Sequence, residues 1–155
     1  MDKPASIEDM KKEVLNQIPQ QRPFRFVDEI LELNDNSVKG KYTFRDDEFF
    51  YEGHFPGNPI TPGVILIETM AQIGLVALGI YLNTTQSGSE NLITLFTESD
   101  VEFRHPVLPG DTVIVESEKV FYRFKKIKAK VKMSLSTGEV VAQGTLSGVG
   151  VVQNV

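Results

Sequence analysis

Residues 126–133 alternate strictly: Ile127, Ala129, Val131 and Met133 fall on one face, and Lys126, Lys128, Lys130 and Lys132 on the other. A period of two predicts a strand packed on one side and wet on the other. The rest of the second half follows suit. Leu92–Arg104 and Thr112–Phe121 are predicted strands, separated by the turn Leu108-Pro109-Gly110-Asp111. Thr137-Gly138 then turns the chain into a last strand, Glu139–Val151. The first half differs. Ser6 caps a short amphipathic helix with Glu8 and Asp9 in its first turn, ending near Gln17 before Pro19. Phe24–Leu33 and Ser37–Phe44 are predicted strands around the turn Asn34-Asp35-Asn36. Asp46–Pro62 is irregular. From Val64 to Leu82 nearly every residue is apolar, which predicts a helix buried on all sides. It stops near Asn83, before a polar loop from Thr84 to Glu90. The sum is an α+β domain, an antiparallel sheet with one long buried helix placed early.

Composition narrows this only a little. A length of 155 residues suits one domain, residues 1–155, with 41% hydrophobic and 24% charged residues as in ordinary globular chains. The apolar stretch approaches the ~20 residues that cross a bilayer. Glu68, Thr69 and Gln72 interrupt it without flanking basic clusters, so a buried core helix is expected and a membrane span is not. The charged amino terminus lacks the apolar core of a signal peptide, which together with the absence of cysteine suits the cytoplasm. A net charge of −5 argues against nucleic acid as a partner.

The densest chemistry lies in Glu52-Gly53-His54-Phe55-Pro56-Gly57-Asn58-Pro59-Ile60-Thr61-Pro62-Gly63-Val64. Prolines and glycines at this density hold a loop in one shape, a good platform for an imidazole. Pro62-Gly63 opens the apolar helix, whose first amides lack internal partners and carry partial positive charge. An amide such as that of Gly63 can donate to an acyl carbonyl oxygen. Glu68 follows inside the helix. Alone it reads equally well as a structural carboxylate paired with a buried cation. Histidine, helix-start amides and a carboxylate on an apolar helix together suit work on a carbon beside a carbonyl. Dehydrating a 3-hydroxyacyl thioester needs a base at C2, an acid for the C3 hydroxyl, and a donor for the thioester oxygen. Neutral histidine, with an unperturbed pKa near ~6.5, supplies the base. A desolvated glutamic acid supplies the acid, and a helix amide the oxyanion contact. No metal or organic cofactor is needed. His105, the only other histidine, precedes Pro106 and is expected to be a surface or packing residue.

The block from Gly53 to Val64, with Glu68 and Ala71-Gln72, resembles the 3-hydroxyacyl-acyl-carrier-protein dehydratases of fatty-acid synthesis, of the FabZ type. The likeness extends more loosely to Arg22-Pro23-Phe24, Val27-Asp28, Phe103-Arg104, Pro106-Val107 and Leu108-Pro109-Gly110-Asp111. It implies a hot-dog fold, in which the sheet wraps the long helix. It also implies a homodimer with one continuous sheet, or a trimer of such dimers, and acyl carrier protein as the partner that brings the substrate. His54 and Glu68 fall on the family's catalytic positions and would come from opposite subunits. Phe55, Gly63, Val64 and Gln72 would line the substrate. Sister enzymes that also isomerise the double bond carry aspartate where this chain has Glu68.

The departures from the family concern docking. Gln20-Gln21-Arg22 replaces the common His-Arg-Tyr, Arg25 stands where an aliphatic residue is usual, and Asp100 and Glu102 occupy basic positions. Carrier proteins are acidic, so loss of positive charge there weakens steering at the usual place. Lys119, Arg123, Lys125 and Lys126 form either a substitute patch or a solvated strand face. Such changes suit a specialised route, polyketide-like or pigment synthesis, as well as a housekeeping one. Two other readings use the same parts: a hot-dog acyl thioesterase, and a non-catalytic acyl-binding subunit.

Overall fold

The computed structural model describes residues 6–87 and 91–153, with the side chain of Ser87 left aside. Helix α1 spans Ile7–Gln17, with the Ser6 hydroxyl accepting from the Asp9 amide at its start. Strands β1 (Glu29–Leu33) and β2 (Ser37–Thr43) form a hairpin around Asn34, whose side-chain Oδ1 accepts from the Asn36 and Ser37 amides. The apolar helix begins as α2 (Gly63–Ala71), loosens to a π-helical stretch at Gln72–Ala77, tightens as α3 (Leu78–Leu82), and ends in a second π stretch, Asn83–Ser87. Strands β3 (Leu92–Phe103), β4 (Thr112–Arg123), β5 (Lys126–Leu135) and β6 (Val140–Val152) complete the chain. All pairings are antiparallel, in the order β1-β2-β4-β5-β6-β3.

The sheet curls around the helix because one face of each central strand is apolar. Val113 and Val115 of β4, Ile127, Ala129, Val131 and Met133 of β5, and Ala142 and Leu146 of β6 point inward and are buried. They meet Met70, Ile73, Leu75, Leu78 and Leu82, each at most 1% exposed. Each such side chain contributes roughly 1.5–3 kcal/mol when fully buried. The helix approaches the sheet most closely at the first π stretch, where the buried Ser117 hydroxyl donates to the Gly74 carbonyl at 2.9 Å. That hydroxyl ties the helix backbone to β4. The stretch Gly63–Gln86 is the one helix among the described residues long and apolar enough to span a bilayer, and 67% of its most apolar window is buried inside the molecule. It is the core that the sheet wraps. This is the hot-dog architecture expected of an α+β chain with this pattern.

Two boundaries differ from the sequence reading. β1 begins at Glu29, not Phe24, because the Phe24 carbonyl and Phe26 amide bind the Gln72 side chain instead of a neighbouring strand. The helix continues past Asn83 to Ser87, with the Thr85 hydroxyl returning to the Tyr81 carbonyl at 2.9 Å. Part of the polar loop is thus helical, and its last residues, 88–90, lie outside the described residues.

Strand β3 bends closely over β6 at Gly144. A β-carbon there would overlap the Asp100 carbonyl oxygen and lie 2.8 Å from the carbon of that carbonyl and from the Val101 Cα. Backbone atoms cannot rotate away as side chains do. Gly144→Ala is therefore expected to destabilise the fold by about 3 kcal/mol, the upper end of ordinary overpacking. Urea unfolding followed by circular dichroism measures this. An unchanged midpoint would mean that β3 can step aside freely.

Candidate active site

The loop that carries His54 is held from both ends. Before it, Phe49–Tyr51 forms one 3-10 turn; after it comes Thr61, and the Tyr51 and Thr61 hydroxyls lie 2.7 Å apart. The Thr61 amide donates to the Val107 carbonyl at 2.9 Å, which ties the loop to the connection between β3 and β4. Beneath the turn, the buried Glu48 carboxylate accepts from the Tyr42 hydroxyl and the Arg45 amide. Burial, and then the Glu48 hydrogen bond, push Tyr42 far above the usual tyrosine range, so it stays a donor. Burial likewise pushes Tyr51 up to about 12, against the Thr61 bond. Within the loop, Phe55 and Asn58 exchange backbone hydrogen bonds at 2.9 and 2.8 Å, and Gly57 between them has φ +73°, a conformation few other residues accept.

This frame settles the His54 tautomer. The Ile60 amide donates to the His54 carbonyl at 2.9 Å, and His54 Nδ1 lies 2.8 Å from the Ile60 carbonyl. A carbonyl oxygen only accepts, so Nδ1 carries a hydrogen, and in the neutral ring the lone pair is on Nε2. The ring is partly buried and stacks on Phe55 at 4.0 Å.

Glu68 is placed by a second frame. Its Oε1 accepts from the Gln72 side-chain amide at 2.9 Å, one helical turn on. Gln72 is fully buried; its amide nitrogen also donates to the Phe24 carbonyl at 2.9 Å, and its oxygen accepts the Phe26 amide at 2.7 Å. These partners permit only one orientation of the amide. With Oε1 occupied as an acceptor, the proton of a neutral Glu68 belongs on Oε2. Burial raises the Glu68 pKa above the usual carboxylate range, while the Gln72 bond opposes the shift. The folded chain therefore holds that proton more tightly than the unfolded one. Ionising Glu68 costs folding stability at pH above the folded pKa, and the cost vanishes below the unfolded pKa. Glu68→Gln is expected to raise the melting temperature at about pH 8 and leave it almost unchanged at about pH 4. Equal shifts at both would show that ionisation is not the cost.

The remaining predicted positions are scattered around these two groups. The Pro62 carbonyl accepts the Ile65 and Leu66 amides at 2.9 and 3.1 Å, so the Gly63 and Val64 amides precede the first helical bonds. The Phe103 ring of β3 covers Gly63, 3.2 Å from where a β-carbon would sit. Val64 is 74% and Phe55 48% exposed. Gln72 is buried, and protein groups bind both ends of its amide, the Glu68 carboxyl among them. The spacing of four residues between Glu68 and Gln72 was the available signal for that pairing. No hydrogen bond or ion pair joins His54 to Glu68 among the described residues. His105 pairs with Glu139 at 2.6 Å on the surface. Lys119, Arg123, Lys125 and Lys126 gather at the β4–β5 hairpin, while Asp100 and Glu102 lie on the outer face of β3 beside Thr145 and Gln143.

The chain matches the family model described as "FabA-like domain" over residues 18–146. It is 37% identical to the 3-hydroxyacyl-[acyl-carrier-protein] dehydratase FabZ of Thermus thermophilus over 136 residues, 88% of this chain and 93% of that protein. The FabZ of Chlamydia trachomatis serovar L2 is 38% identical over 139 residues, 88% of each chain. Among solved structures, the dehydratase heterocomplex ApeI:P from Xenorhabdus doucetiae superposes with TM-score 0.75 at 17% identity, covering 91% of both chains. A hypothetical thioesterase from Streptococcus pneumoniae, solved with coenzyme A, superposes with TM-score 0.61 at 16% identity over 82% of this chain and 88% of that one. Such structural likenesses carry the fold alone. With matched relatives covered nearly end to end, the chain belongs to the FabA-like family and, within it, to the 3-hydroxyacyl-acyl-carrier-protein dehydratases of the FabZ type.

Proposed function

We propose that the protein dehydrates a (3R)-3-hydroxyacyl thioester borne by acyl carrier protein to the trans-2-enoyl thioester, with His54 as base and Glu68 as acid. The observation that carries the assignment is the pair of frames: Nε2 of His54 is left basic, and Oε2 of a desolvated Glu68 is left to donate. His54 Nε2 removes a proton from C2. The C2–H electrons form the C2–C3 double bond, the C3–O bond breaks, and the Glu68 proton leaves with the hydroxyl as water. An amide at the Gly63–Val64 helix start stabilises charge on the thioester oxygen. Solvent then returns a proton to Glu68 and takes one from His54.

The site is shared between two chains. Edge strand β3 exposes Leu95, Phe96 and Phe103, and the helix start exposes Val64, an apolar surface suited to a second copy that continues the sheet. That pairing brings the His54 of one subunit to the Glu68 of the other, in a dimer or a trimer of dimers. The basic hairpin of Lys119, Arg123, Lys125 and Lys126 steers the acidic carrier protein. The long helix, mostly buried within the sheet, serves as a core helix and not as a membrane span.

The test is incubation with a 3-hydroxyacyl thioester of pantetheine, following enoyl-thioester absorbance and free thiol together. Enoyl product without thiol is expected. Thiol without enoyl product would replace the proposal with a thioesterase, and neither product, even from carrier-bound substrate, would leave an acyl-binding subunit.

A further inference from the structure

Arg25 stands between two phenylalanines, and the fold gives its charge an unusual task. The guanidinium Nη2 donates to the Leu15 carbonyl at 2.7 Å, and Nη1 to the Ile18 and Gln20 carbonyls, both at 3.3 Å. Among the described residues it has no carboxylate partner. The last turn of α1 contains no basic residue, so Arg25 supplies from outside the positive charge that a helix C-terminus favours. Its two chain neighbours, Phe24 and Phe26, are the residues whose backbone groups hold the Gln72 amide. Gln72 in turn holds Glu68. Four links, each a hydrogen bond or a peptide bond, therefore run from the end of α1 to the carboxyl.

We propose that Arg25 is a positioning residue for Glu68: by clamping the C-terminus of α1 it fixes the Phe24–Phe26 backbone that orients the Gln72 amide against the carboxyl. An aliphatic residue at 25 packs but cannot tie three carbonyls to that backbone. The loss is then felt at Gln72, whose two backbone partners both move with residue 25. This inference rests on Glu68 acting as the acid.

The test uses the assembled enzyme with a 3-hydroxyacyl pantetheine thioester and the variants Arg25→Leu, Arg25→Lys and Glu68→Gln. Arg25→Leu is expected to lower kcat on the order of tenfold while KM stays within about twofold, the effect of a misplaced group rather than of weaker binding. Arg25→Lys, which keeps the charge and reaches fewer carbonyls, recovers part of that loss. The second readout is the ionisation of Glu68, followed as the protonated-carboxyl infrared band that Glu68→Gln removes. Within one chain, burial raises the pKa of this carboxyl and the Gln72 bond, which favours the ionised form, opposes it. Loosening that bond in Arg25→Leu moves the titration midpoint to higher pH. A role confined to stability would lower the melting temperature and leave the midpoint in place, which overturns the proposal, as does a wild-type kcat. Should Arg25→Leu not fold, Arg25→Lys decides: a midpoint shifted upward with lowered kcat supports the proposal, and wild-type values refute it. Full activity in Glu68→Gln would instead remove the catalytic reading itself, whatever Arg25 does.

Discussion

His54→Ala is expected to reduce enoyl formation by about 10³-fold or more while leaving the protein folded. General acid–base groups contribute about 10²–10⁴-fold, and alanine removes the base outright. Folding should survive because the loop does not depend on the imidazole for its shape. The Tyr51–Thr61 contact, the Thr61–Val107 bond, the reciprocal Phe55–Asn58 bonds and the Ile60–His54 backbone bond all remain. Only the Nδ1 contact to Ile60 and the stacking on Phe55 are lost. Steady-state assay with an unchanged circular dichroism spectrum checks both halves of the expectation. A variant retaining wild-type turnover would remove His54 from the mechanism. A variant that unfolds would mean that the ring holds the loop.

Glu68→Gln is expected to be about as inactive, and mixing the two dead variants tells how the site is built. Glutamine preserves size and can still accept from Gln72, but it has no acidic proton to give. If each site draws His54 from one chain and Glu68 from the other, a mixed dimer of His54→Ala and Glu68→Gln holds one site with both groups intact. After full exchange of an equimolar mixture, about a quarter of the wild-type activity should return, since half of the dimers are mixed and each holds one good site of two. Exchange is verified independently by native mass spectrometry with one chain isotope-labelled. No recovery despite proven exchange would place both groups in one chain. That outcome would also require an intrachain route from the loop to the helix, although no bond joins the two residues among those described.

Much of this was legible in the residues. The strict alternation of lysines and apolar residues from Lys126 to Met133 can only be satisfied by a strand with one face buried, and β5 buries that face. The nearly continuous apolar run after Gly63 requires surroundings on every side, which a curled sheet supplies. The Pro- and Gly-rich block marks a rigid loop, and the combination of His54 with Glu68 matches the pattern of a known family. These features are local: each depends on neighbours within a few positions, so the one-dimensional order already contains them.

What the tertiary structure alone decided are the contacts between residues distant along the chain. Phe24 and Phe26 read as the opening of a strand by composition, yet their backbone groups serve Gln72, 48 and 46 positions away. Gln72 likewise reads as a group facing substrate, but satisfying two buried backbone groups consumes both ends of its amide. A buried donor or acceptor must be paired, and which partner it finds depends on what the fold brings near. The same holds for Ser117 on the Gly74 carbonyl, and for Arg25, whose unexpected charge has meaning only once α1 ends beside it. Sequence by itself therefore determined the elements, the core faces and the chemical types at the site. The folded chain decided which Glu68 oxygen is free, which His54 nitrogen is basic, and what holds them there, because hydrogen-bond geometry arises from three-dimensional proximity and leaves no period in the sequence.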